Sequence, residues 1–122
     1  MRLPAHLTII SSIIALFSCL LLLPGIASAD AAADIEKGKK LAFDRKKGNC
    51  LACHQIQGGD LAGNIGPPLI AMKARFPDFE KLRAQIYDAR INNPNTIMIP
   101  FGPYGVLTDE EITLVAKYIQ SL

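Results

Sequence analysis

The run Cys50-Leu51-Ala52-Cys53-His54 constrains this chain more than any other stretch. Two thiols separated by two residues and followed at once by histidine meet the requirement for covalent attachment of a c-type haem. The spacing lets both sulfurs reach the porphyrin edge as thioethers while His54 comes beneath the iron as its proximal ligand. A Cys-x-x-Cys pair also suits half of a zinc site or a redox dithiol. Zinc would need two further soft or imidazole ligands. The chain holds three cysteines and two histidines, and Cys19 and His6 fall in an N-terminal segment of different character. Beyond it, Cys50, Cys53 and His54 are the whole stock, which favours one covalent haem c.

The N-terminal segment opens with Arg2 and His6 and continues through Ile9, Ile10, Ile13, Ile14, Leu16 and Phe17 to Leu20-Leu21-Leu22-Leu23. Pro24-Gly25 ends the apolar run and Ala27-Ser28-Ala29 follows, the pattern of a secretory signal peptide cleaved after Ala29. The run is short for a membrane span, so a cleaved leader is expected at 1–29 rather than a retained anchor. Residues 30–122 then form one monohaem domain with a modest core, exported to the periplasm. The formal charge of the whole chain is +2, and losing Arg2 brings it nearer zero, which gives no basis for nucleic-acid binding.

The remaining pattern predicts an all-α domain. Asp34 is placed to cap a first helix in which Ile35, Gly38, Leu41 and Ala42 share a face, with Lys37, Lys39 and Lys40 off it. Glycine inside a helix costs about 1 kcal/mol against alanine, so Gly38 predicts a close backbone approach. Arg45-Lys46-Lys47 reads as a solvated turn or, beside the attachment motif, as a patch that steers a redox partner. A glycine-rich loop leads to Gly66-Pro67-Pro68-Leu69. A haem-ligating histidine usually donates its other ring N–H to a carbonyl, and Pro67 is the candidate here. Pro67 and Leu69 join Cys50 and Cys53 as the candidate cofactor-binding residues, with a short helix expected from Leu69 to Ala74.

Asp78 is placed to cap the next helix, in which Phe79, Leu82, Ile86 and Ala89 recur at spacings of three and four, and Asn92-Asn93-Pro94 stops it. Ile97–Ile99 has strand propensity, but flanking prolines and the lack of a partner predict a loop. Thr108-Asp109-Glu110-Glu111 is a capping box. It opens a last helix whose buried face carries Ile112, Val115, Ala116, Ile119 and Leu122, with Tyr118 at its edge facing Gly38. The terminal helices are therefore expected to cross.

The sixth ligand decides the chemistry, since an open iron binds small molecules and a filled one favours electron transfer. No histidine remains for it. Met72 sits at helical spacing and suits a core. Met98, in a loop bracketed by Pro94 and Pro100, is the preferred axial ligand, with a lysine as a third option. His54/Met98 ligation predicts a six-coordinate electron carrier or acceptor.

The order of these elements resembles class I cytochrome c along nearly all of residues 30–122. Four segments narrow the likeness: Gly48-Asn49-Cys50-Leu51-Ala52-Cys53-His54, Gly63-Asn64-Ile65-Gly66-Pro67-Pro68-Leu69, Lys73-Ala74-Arg75-Phe76-Pro77-Asp78 and Asn93-Pro94-Asn95-Thr96-Ile97-Met98. They resemble the SoxX family, the small cytochrome subunit of the sulfur-oxidising SoxAX complex. The resemblance implies a heterodimer with a SoxA-like cytochrome, acting as an L-cysteine S-thiosulfotransferase that couples thiosulfate oxidatively to a cysteine of the SoxYZ carrier protein. The electrons would pass to a downstream acceptor cytochrome, and the axial roles carry over to His54 and Met98. This chain departs from the family at Ile99, often proline there, and at Pro103-Tyr104, where a basic pair is common. The second change bears on docking more than on haem ligation.

With Cys50 and Cys53 in thioethers, no thiol is left to carry sulfur and no histidine is free for acid–base work, so sulfur bond-making would fall to the partner. The competing readings are a free-standing diffusible carrier and, should Met98 not bind the iron, a peroxidase or gas-binding haem protein.

Overall fold

The structure is a computed structural model and describes residues 26–122. Helix α1 spans Ile26–Phe43, α2 Met72–Arg75, α3 Phe79–Tyr87 and α4 Asp109–Gln120, with 3-10 turns at Cys50–Ala52 and Ala89–Ile91. No strand occurs among the described residues, Ile97–Ile99 included. The all-α expectation holds.

The first and last helices cross at Gly38. A Cβ there would overlap the Leu114 carbonyl oxygen and stand 2.7 Å from its carbon and 2.9 Å from Tyr118 Cβ. Only glycine lets the two backbones meet, and that contact offsets its cost within a helix. Ile112, Val115, Ala116 and Ile119 of α4 are buried against this crossing. Tyr118, expected at the edge of the face, lies wholly inside it, its ring edge-on to Phe43 with centroids 6.1 Å apart. The space over Gly38 draws it in.

The helix starts follow local chemistry. Thr108 Oγ1 accepts from the Glu111 amide at 3.2 Å while Glu111 Oε2 accepts from the Thr108 amide at 2.9 Å, which completes the capping box. The Asp78 carboxylate accepts from the amides of Glu80 and Lys81 and starts α3 as expected.

Three boundaries differ from expectation. Helix α1 already runs through Asp34, because Ala31-Ala32-Ala33 are the strongest helix formers and carry it toward Ile26. Asp34 is not a cap: its carboxylate accepts from Lys117 Nζ of α4 at 2.6 Å and lies 3.7 Å from Lys37 Nζ. Most of the expected 1–29 leader lies outside the described residues, and the Ala29 cleavage point falls inside α1. Helix α2 begins at Met72, not Leu69, because Ala71 takes a left-handed φ of 50° and breaks the path between them. Helix α3 stops at Tyr87, because extended Asp88 breaks it and turns its carboxylate to the Arg90 amide, opening the turn that buries Ala89.

Ala42, Leu82, Ile86, Ile112, Val115 and Ile119 from α1, α3 and α4 form the centre of the core, closed by Ile56, Leu69, Phe101 and Leu107 from the loops. The attachment motif sits where α1 ends against this core.

Candidate haem site

The site is built on the C-terminal end of α1. Gly48 donates its amide to the Leu41 carbonyl at 3.0 Å, and a Cβ there would meet that carbonyl and Ala42 Cα. The chain therefore turns tightly against the helix. Asn49, at a left-handed φ of 46°, then feeds the 3-10 turn of Cys50–Ala52. The amides of Cys53 and His54 both donate to the Cys50 carbonyl, at 3.2 and 2.9 Å. One turn of backbone thus gathers both thiols and the imidazole.

A second loop holds the imidazole. Gly66 donates its amide to the Cys53 carbonyl at 2.8 Å, and His54 Nδ1–H donates to the Pro67 carbonyl at 2.7 Å. That bond assigns the ring proton to Nδ1 and leaves the Nε2 lone pair for a metal. The ring lies flat on Gly66, where a Cβ would stand 2.6 Å from Nδ1 and 2.9 Å from Nε2. Leu69 is buried in the core and donates its amide to the Gln55 carbonyl at 2.9 Å. Arg75 of α2 reaches back to the Pro68 carbonyl at 2.8 Å and to Met72 Sδ at 3.3 Å.

The two methionines stand in different surroundings. Met72 is buried in the core, its amide on the Leu122 carbonyl at 2.8 Å. Met98 is half-buried on the 95–107 loop, its amide on Thr96 Oγ1 at 3.2 Å. The structure gathers Cys50, Cys53, His54, Pro67 and Leu69 through hydrogen bonds. Among the described residues, no hydrogen bond joins Met98 to that group.

The donor set fits a covalent haem and not its competitors. Burial pushes the Cys50 thiol up to about 11. A redox dithiol needs the opposite, a leading thiol with a depressed pKa. Among the described residues, no three His, Cys, Asp or Glu side chains are grouped to hold a metal ion. Ile65, beside the His54 loop, and Ile97, beside Met98, are 63% and 74% exposed. Apolar side chains flanking both axial candidates suit a large flat apolar group.

Of the Arg45-Lys46-Lys47 run, Lys47 is engaged: its Nζ lies 2.8 Å from Glu111 Oε1. The hydrogen bond from Lys47, followed by that from the Thr108 amide, holds the Glu111 carboxyl below its ordinary value. The α4 cap is thereby tied to the loop that enters the haem motif. The seating of the His54 ring on Gly66 is absent from the sequence reading, because that loop is legible as glycine-rich but not as packed under a ring. Its only signal is a glycine immediately before Pro67.

A small all-α domain that folds a Cys-x-x-Cys-His turn onto its crossed terminal helices, and fixes the histidine through Nδ1, is by architecture and donor set a class I c-type cytochrome domain. Comparison with known families agrees: the Cytochrome c model matches residues 35–122, and the chain belongs to that family. Its cofactor is accordingly a covalent haem c, its role electron transfer, and Cys50 and Cys53 have the attachment spacing. Domains of this family generally work outside the cytoplasm. An "Uncharacterized lipoprotein" of Aquifex aeolicus (strain VF5) is 39% identical over 75 residues, which cover 61% of this chain and 36% of that protein. The chain thus spans about a third of that relative's length. Among the described residues, no helix is long and apolar enough to cross a membrane.

Proposed function

We propose that Cys50 and Cys53 carry the two thioethers, that His54 Nε2 and Met98 Sδ are the axial ligands, and that the chain serves as the SoxX-like electron-transfer subunit of a periplasmic SoxAX complex. Pro67 fixes the His54 ring and makes it a better electron donor to the iron, and Leu69 packs against the haem from the same loop. One observation carries the finer reading. Three of the four segments that resemble the SoxX family are bonded to one another around a single ring. Segment 48–54 joins 63–69 through the Cys53–Gly66 and His54–Pro67 bonds, and 63–69 joins 73–78 through Arg75.

The haem supplies one-electron chemistry. Coupling thiosulfate to a carrier cysteine forms one S–S bond, loses the thiol proton and releases two electrons, which a single haem passes on one at a time. Thioether attachment leaves residues 30–122 with no thiol or histidine for the bond-making step, so that step belongs to the SoxA-like partner and the SoxYZ carrier. A downstream cytochrome takes the electrons. A leader cleaved after Ala29 places the domain in the periplasm without an anchor. The name of the Aquifex relative makes a lipid tether the competing arrangement, and the intact mass of the purified protein separates the two.

The alternative is a diffusible carrier, favoured by Pro103-Tyr104 standing where the family often has a basic pair. Against it stands the joining of three of the family-like segments around the His54 ring; the Arg90 guanidinium, 5.6 Å from the Tyr104 ring centroid, is paired with Asp88 and does not replace the basic pair. The test is native mass of the haem-loaded protein, isolated under mild conditions from the periplasm of cells grown on thiosulfate. A stoichiometric second haem protein is expected. A lone monohaem species would overturn the subunit reading in favour of the carrier.

A further inference from the structure

The 95–107 loop bears Met98, yet Ile97 and Ile99 on either side of it are exposed, so its position is set further along. Pro100 and Phe101 are buried. Gly102 donates its amide to the Tyr87 carbonyl at 3.1 Å, and a Cβ on Gly102 would overlap the Tyr87 ring and stand 2.6 Å from its Cζ. Two residues on, Tyr104 meets Arg90 face to guanidinium. Arg90 is itself held in a fork, its Nε 2.8 Å from Asp88 Oδ1 and its Nη2 2.8 Å from Asp88 Oδ2.

A residue that only caps the Ala89–Ile91 turn would need one carboxylate oxygen, for the Arg90 amide. Asp88 uses its second oxygen to fix the plane of the guanidinium, and that plane is what Tyr104 stacks on. We infer that Asp88, Arg90 and Tyr104, with Gly102 seated on Tyr87, form a clamp from the end of α3 that positions the Met98 loop for axial ligation. These are positioning residues, and the inference rests on Met98 being the distal ligand. A thioether occupies the iron for the fraction of time its loop is closed. A competing ligand therefore binds with an affinity set by the open fraction, which the clamp keeps small.

The test uses the haem-loaded ferric protein, its far-red band from methionine-bound iron, and titration with imidazole. Asp88→Asn keeps a capping oxygen but breaks the fork, Tyr104→Ser removes the stacking face, and Tyr104→Phe retains it. Asp88→Asn and Tyr104→Ser are expected to tighten imidazole binding about three- to fivefold, the scale of an exposed cation–π or ion-pair contact. Tyr104→Phe should stay within about twofold of the parent. Leu82→Ala, in the core on α3 one turn and more before Tyr87, controls for general destabilisation and should shift the unfolding midpoint without this tightening. Parent-like imidazole affinity in Asp88→Asn and Tyr104→Ser would overturn the clamp, as would equal tightening in Leu82→Ala. If Met98→Ala retains the far-red band, Met98 is not the ligand and both readings fall. If Met98→Ala loses the band while the clamp variants behave as the parent, only the clamp falls.

Discussion

Gly66 gives His54 its place, because the imidazole rests where a side chain would otherwise stand. Gly66→Ala should force ring or loop to shift and destabilise the haem-loaded protein by about 1–3 kcal/mol, the usual cost of overpacking, read from the guanidinium midpoint of the Soret signal. The two methionines separate by their surroundings. Met98→Ala is expected to abolish the far-red band of the ferric protein with little change in core packing. Met72→Ala should keep the band and cost about 2–5 kcal/mol, as a cavity in a buried site does. At this scale Cys50, Cys53 and His54 were legible because attachment chemistry fixes residue type and spacing. The bed of His54 on Gly66 and the fork from Asp88 to Arg90 were not, since each depends on where a distant ring or loop arrives.

Between elements, the α1–α4 crossing depends on backbone contact at Gly38. Gly38→Ala gains about 1 kcal/mol of helix propensity, but the new methyl meets the Leu114 carbonyl, which cannot move aside as a flexible side chain would. A net loss of about 1–3 kcal/mol is expected in chemical denaturation. Ion pairs join the same elements: Lys117 holds the Asp34 carboxyl below its ordinary 3.8, and Lys47 with the Thr108 amide holds Glu111 below 4.5. Carboxyls lowered by folding stabilise the native state above their ordinary pKa values, and that stabilisation is lost as pH falls through the lowered ones. The melting temperature should therefore fall as the solution is acidified through and below this range. In Asp34→Asn part of that slope should disappear. The caps at Asp78 and Thr108 were readable because each bonds amides within three residues. Asp34 reads as a cap by the same local rule, and nothing nearby in sequence reveals that its partner is Lys117 of α4. The early stop of α3 escaped for a related reason: Ala89 keeps the helical period of Leu82 and Ile86 although Asp88 has already broken the helix.

For the whole domain, the core is small, and Ile65 and Ile97 are exposed in the polypeptide alone, so a bound haem is expected to add much of the apolar contact the domain needs. The double variant Cys50→Ala/Cys53→Ala, prepared without haem, should show a weakened far-UV helical signal and no sharp thermal transition. A native-like cooperative melt would show instead that the polypeptide core suffices. The crossing of α1 and α4 also governs the order of events as the chain is made. Asp34 and Lys117 are separated by 83 residues, and the face of α1 around Gly38 has nothing to close on until the twelve residues of α4 exist. Contacts of such long separation are slow to form, because the loop between them must close first. Folding that closes this crossing is therefore expected to wait for the C-terminal helix. Until that helix is complete the crossing is expected to stay open, with the Cys50–His54 turn not yet closed against it.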